Sequence, residues 1–124
     1  MINKKVLVIA SGIFGFLAVS LGAFGTHILK DRMSSELLST FQTGVFYQAI
    51  HSVVVLAIAI AGDNRFFKAA IIMIIGIVLF SFSLYLYSLT QIRIFAMITP
   101  IGGISFLAGW LMIIIEGLKT RKQL

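Results

Sequence analysis

Apolar residues run along this chain in four long stretches, about 6–28, 41–61, 66–89 and 94–115. Short polar breaks divide them: Lys30-Asp31-Arg32, Gly62-Asp63-Asn64-Arg65 and Gln91-Ile92-Arg93. A helix needs about 20 mostly apolar residues to cross a hydrocarbon core, so each stretch predicts one spanning helix. Connections this short force neighbours to run antiparallel. The predicted fold is therefore all-α: an integral membrane, up-down bundle of four transmembrane helices, with residues 1–124 forming a single transmembrane domain. Ser34-Ser35-Glu36 supplies a cap and an acidic first turn, which starts the second helix at Ser35. From there to Ala61 it would be about 40 Å long, so Glu36 and Ser39 lie in or above the interface. Thr99-Pro100 reads equally as a helix start with proline at the first position or as a kink inside the fourth helix.

Composition removes the soluble alternative. The chain is 60% hydrophobic and 11% charged, with a mean hydropathy of +1.09; an average soluble domain is about 25% charged. The net charge of +6 would suggest nucleic acid in a soluble protein. Here the basic residues sit at termini and loops without interleaved aromatic residues, so no nucleic-acid partner is expected. Lys4, Lys5, Arg65, Lys68, Lys119, Arg121 and Lys122 fall on one side of the bundle, against Lys30, Arg32 and Arg93 on the other. That bias predicts cytoplasmic N- and C-termini. The first apolar run exceeds the core of a cleavable signal peptide, and its retention is expected.

Small residues mark packing faces. Ser11, Gly15, Ala18, Gly22 and Gly25 form a stripe on the first helix, and Gly102, Ser105 and Gly109 a shorter one on the fourth. Such residues let backbones approach closely in lipid. Packing inside the bundle is the simplest reading, and a seam between copies of the chain is the alternative.

The second helix concentrates polar residues at membrane depth: Gln42, Thr43, Tyr47, Gln48, His51 and Ser52. At about 100° per residue, Tyr47 and His51 share a face with Gly44 between them, and Gln48 lies on its flank. Exposing this strip to lipid would cost several kcal/mol, which turns it toward the bundle. Ser81, Tyr85 and Ser88 on the third helix are candidate partners, with Ser83 and Tyr87 on a neighbouring face; His27 ends the first helix near the surface. A histidine at such depth is either a neutral hydrogen-bonding group that docks helices, for example on Tyr85 or a serine, or a site for protons or ligand.

Metal and cofactor chemistry find no support. Two histidines and no cysteine fall short of a zinc site. A bis-histidine haem needs ligands at one depth, whereas His51 lies about 15 Å below Phe41 and His27 is at the boundary. Asp31, Glu36, Asp63 and Glu116 all sit at helix ends or loops, so none supports His51 in catalysis, and Glu116 is expected to pair with nearby lysine or arginine.

Four stretches carry a family resemblance: Leu21-Gly22-Ala23-Phe24-Gly25-Thr26-His27; Gln42-Thr43-Gly44 with Tyr47, Gln48 and His51; Leu79-Phe80-Ser81-Phe82-Ser83-Leu84-Tyr85; and Thr99-Pro100-Ile101-Gly102-Gly103 with Phe106, Gly109 and Trp110. Together they resemble the domain of unknown function 423 family, small four-span proteins of the YgdD and YwdK type, similar to eukaryotic transmembrane protein 256. Phe82 and Thr26 stand where that pattern usually has glycine and alanine. The resemblance implies a multi-pass protein of the bacterial inner or plasma membrane and supplies no activity, substrate or cofactor. The leading expectation is a non-enzymatic structural or interaction protein, with the lipid bilayer, a second copy or another membrane protein as partner. A small oligomeric transporter or channel, and a lipid- or quinone-binding subunit using the rings of Phe46, Tyr47, Tyr85 and Tyr87 with His51 as donor, are the alternatives.

Overall fold

The computed structural model describes residues 2–119. It consists of four helices, each long and apolar enough to cross a membrane: α1 (Lys4–Leu29), α2 (Ser35–Ala61), α3 (Asn64–Thr90) and α4 (Arg93–Lys119). Local signals set their ends. Asn3 and Ser34 accept hydrogen bonds from Val6 N and Leu37 N and so cap α1 and α2. Gly62 ends α2 in the left-handed conformation, φ 75°, where its N–H reaches the Ile58 carbonyl. In the turn that follows, hydrogen bonds from the Arg65 side chain hold the Asp63 carboxyl below the ordinary carboxylate range. Glu116 pairs with Lys119 at 3.2 Å; Arg121 and Lys122 lie outside the described residues.

The fourth helix decides the proline question. It runs unbroken from Arg93 to Lys119 with Pro100 inside it, so Thr99-Pro100 is not its start. The apolar residues before Pro100 need their backbone groups satisfied in lipid, and helix is the cheapest way to do so.

Two helices contain a π-helical turn, α1 at Leu21–Gly25 and α3 at Ile77–Ser81. In α3 the cause is readable from burial. Met73, Ile77, Ser81 and Tyr85 are all buried at four-residue spacing. Over those three steps an ideal α-helix would rotate them about 120° out of line. One wide turn absorbs the excess and keeps both halves of α3 facing inward.

The inner pair of the bundle is α2 and α3, and α1 and α4 flank it. Toward the end that holds Lys4 and Lys119, the core cluster is purely apolar: Leu7 of α1, Val55 and Ala59 of α2, and Phe67, Ala70 and Met73 of α3. Large side chains such as Phe16, Phe24, Ile101, Leu107 and Leu118 point outward, as they must where lipid is the solvent.

The two small-residue stripes behave differently. Along α4, a methyl on Gly102 would enter the backbone of Leu79 and Phe80, and one on Gly109 would stand 2.8 Å from Met73 Cγ. Gly76 of α3 answers them, seated under the Phe106 ring. Ser83 Oγ and Thr99 Oγ1, 2.6 Å apart, and Ser105 donating to the Ile72 carbonyl close the same seam. Along α1 the approach is looser: Gly22 faces Val45 and Gly25 faces the Phe41 ring, each just over 3 Å from an added methyl. Gly15 departs from the expectation, with nothing within 4 Å of its missing Cβ.

Candidate functional site

Gln48 is the midpoint of α2, as Phe106 is of α4. These positions place the polar strip at the centre of the membrane span. The face that α2 buries holds Phe41, Gly44, Gln48, His51, Ser52, Val55 and Ala59. It is rotated toward Gln48 relative to the sequence-based face, which was centred between Tyr47 and His51.

Gln48, expected on the flank, is 0% exposed and forms the central polar junction. Its Nε2 donates to the Phe14 carbonyl of α1 at 2.8 Å, and its Oε1 accepts from the Tyr85 hydroxyl of α3 at 2.7 Å. One side chain thus ties three helices. Gly44 makes room for it, because a methyl there would stand 2.7 Å from the Tyr85 ring and 3.1 Å from the Ser81 carbonyl. Tyr85 is therefore Gln48's partner rather than His51's. Ser81 is fully buried and its hydroxyl has no hydrogen-bond partner among the described residues, so it too does not serve His51. Gln42 and Thr43 are exposed and leave the strip. Gln42 lies seven residues into α2, within side-chain reach of the interface. His27 is exposed in the last turn of α1 and joins neither group.

His51 is 3% exposed and faces α4. Its Nδ1 lies 2.7 Å from the Tyr47 carbonyl, and Trp110 Nε1 donates to its Nε2 at 3.1 Å. A carbonyl oxygen only accepts and an indole N–H only donates. Both neighbours therefore impose the same state: a neutral imidazole with its proton on Nδ1 and a lone pair on Nε2. Phe106 stacks on the ring at 3.7 Å between centroids and 12° between planes. Tyr47 packs against Phe80 at 4.7 Å, and Phe80 against Phe106 at 5.4 Å.

These rings form the wall of a cleft of about 430 Å³ between α2, α3 and α4. Pro100, Gly103, Ile104 and Leu107 line the rest. The rim residues Tyr47, Ile104, Leu107 and Trp110 are exposed on the flank of the bundle. At this depth the mouth opens sideways, to the hydrocarbon layer. Mostly apolar walls with a few placed polar groups, at this volume, are what small-molecule sites have in common. Among the described residues no three His, Asp or Glu side chains cluster as metal ligands.

Of the rings that sequence reasoning groups with His51, only Tyr47 lines the cleft. Phe46, Tyr85 and Tyr87 do not, whereas Phe80, Phe106 and Trp110, which do, had been given no role. His51 Nε2 accepts where a donor was expected. One signal was present. Trp110 is the only tryptophan, and in membrane proteins tryptophan favours the interface. It sits only four residues past the midpoint of α4, about 6 Å from mid-depth at 1.5 Å per residue.

Residues 21–103, which contain most of the residues just described, match the family described as Protein of unknown function (DUF423). The inner membrane protein YgdD of Escherichia coli K12, a UPF0382 protein, is 37% identical over 125 residues, covering 98% of this chain and 95% of the relative. The UPF0382 membrane protein YwdK of Bacillus subtilis is 42% identical over 120 residues, covering 93% and 98%. A Staphylococcus saprophyticus UPF0382 membrane protein, SSP2132, is 41% identical over 118 residues with the same coverage. No solved structure matches the chain. With a family match over residues 21–103 and relatives aligned along nearly their whole length, this chain belongs to the DUF423 family of small bacterial membrane proteins.

Proposed function

We propose that this protein is a non-enzymatic binding protein of the membrane, which takes a lipophilic molecule sideways from the bilayer into the α2–α3–α4 cleft. The observation that carries the reading is the placement of a ring-lined cleft, with a buried histidine in its wall, at the middle of the span. Both ring nitrogens of His51 are engaged, which suits a hydrogen-bonding group better than a catalytic base. Transport would require a polar route through the thickness of the bundle. The apolar cluster from Leu7 to Met73 favours lateral binding over that alternative. The same proposal sets the chain in the bacterial cytoplasmic membrane with its N- and C-termini inside, on the bias of basic residues toward the end holding Lys4, Lys5, Arg65, Lys68 and Lys119.

The test compares wild type with Gly103→Leu. Gly103 lines the cleft, and an added Cβ makes only ordinary contact with the Phe80 ring, 3.8 Å away. The rest of a leucine side chain is therefore expected to occupy the cleft, with unchanged detergent melting as the check that the helices have not parted. Both proteins are purified from native membranes in mild detergent, and their organic extracts are compared by mass spectrometry. A lipophile retained by wild type and lost from the variant is expected. Identical extracts containing only bulk phospholipid would refute the binding reading.

A further inference from the structure

Resting on the cleft reading above, we infer that the ligand is a lipophilic hydroxyl compound carried on a flat ring, a phenol or hydroquinone with an aliphatic tail, whose O–H enters between Trp110 and His51. The argument begins with the pair it would divide. Trp110 Nε1–H is a donor and His51 Nε2 an acceptor, 3.1 Å apart and directed at each other. A hydroxyl is the one common uncharged group that accepts from the first and donates to the second with a single oxygen. A ketone, quinone or ether accepts from the indole but leaves Nε2 without a donor. A carboxylate does the same and also brings a charge to mid-membrane, where ionic groups are costly.

The two partners differ in how they are held. The imidazole is 3% exposed, bonded to the Tyr47 carbonyl and stacked on Phe106. The indole is 41% exposed at the rim, so it can swing outward while the acceptor nitrogen stays in place. Trp110 thus satisfies the same nitrogen that a ligand hydroxyl would satisfy when bound. The ring preference follows from the walls. Tyr47, exposed at the rim, and the half-buried Phe80 pack 4.7 Å apart at a tilt and line the cleft, and such ring walls suit an aromatic plane. Depth adds a further constraint. His51 is three residues from the α2 midpoint, about 4.5 Å from mid-depth at 1.5 Å per residue, so the molecule must bring its hydroxyl well below the headgroups. A phosphate-bearing lipid cannot do this without burying its charge.

The single tryptophan makes the test direct. Full-length protein carrying nitrogen-15 in its indole is placed in lipid nanodiscs and titrated with 4-nonylphenol, 4-nonylanisole or 4'-nonylacetophenone, following the one indole N–H resonance. The phenol is expected to shift that resonance and to bind about tenfold more tightly than either acceptor-only analogue, the scale of leaving a buried acceptor unpaired. In His51→Phe, which keeps a ring against Phe106 but has no acceptor, the phenol should lose its advantage over the anisole. Equal binding of all three compounds by wild type, abolished by Gly103→Leu, would overturn the hydroxyl inference and leave the cleft reading standing. Failure of every compound to bind, or the same response in Gly103→Leu as in wild type, would overturn both.

Discussion

Gln48 and His51 stand one turn apart on α2, both buried near mid-membrane and both hydrogen-bonded across the bundle. What differs is where their partners lie. Gln48 reaches a backbone carbonyl of α1 and a buried tyrosine of α3, so its junction is closed by protein on every side described. His51 reaches Trp110, which is exposed at the rim of a cleft. A polar group closed in by protein fixes how helices dock, whereas one whose partner faces lipid can exchange that partner for a ligand. Polarity at depth alone did not separate these roles; the exposure of the second partner does.

The sharpest way to break this contrast is to part α3 from α4. Gly102→Ala places a methyl inside the backbone of Leu79 and Phe80, so α4 must move away and carry Trp110 with it. A loss of about 3 kcal/mol is expected, the upper end of ordinary overpacking. It should appear in detergent melting together with a displaced indole resonance. Unchanged melting would mean that the seam is slack and that the cleft wall is not fixed by it.

Next in size is the closed junction. Gln48→Met keeps the length of the side chain but strands the Tyr85 hydroxyl, and a cost of about 2 kcal/mol is expected for the unpaired buried group. Tyr85→Phe should cost less, and the double variant less than the sum of the two, because both singles break one shared bond. The indole resonance should stay in place throughout. Movement of that resonance in Gln48→Met would show that the junction and the cleft are one unit rather than two.

At the bottom of the range lies Gly15→Ala. Nothing stands within 4 Å of the new methyl, and alanine is favoured over glycine inside a helix by up to about 1 kcal/mol. Melting should be unchanged or slightly raised. A clear fall would mean that this part of the α1 stripe meets a second copy of the chain.

The helices were legible in the sequence because a membrane makes the hydropathy of each segment decisive, and Ser34 and Gly62 punctuate them by ordinary capping chemistry. Pro100 was not legible. Whether proline starts or interrupts a helix depends on how the preceding backbone is satisfied, which a local pattern does not state. The π-helical turn in α3 was written in the four-residue spacing of Met73, Ile77, Ser81 and Tyr85, but only once all four are known to face inward. Polar content at depth was plain, whereas pairing was not. Angular position on one helix says which residues share a face, but not which residue of another helix stands opposite. Tyr85 therefore went to Gln48 instead of His51, and Trp110 took the place expected of tyrosine or serine.

The state of the His51 ring tests the account most directly, because the cleft offers an acceptor to a ligand only if Nε2 is bare. With His27→Gln leaving a single histidine, nitrogen-15 spectra of the ring in lipid at neutral pH report where the proton resides. The account predicts a neutral imidazole with the proton on Nδ1, directed at the Tyr47 carbonyl, and an unprotonated Nε2 that accepts from the Trp110 indole. A proton on Nε2, in either the other neutral tautomer or the imidazolium, would contradict it.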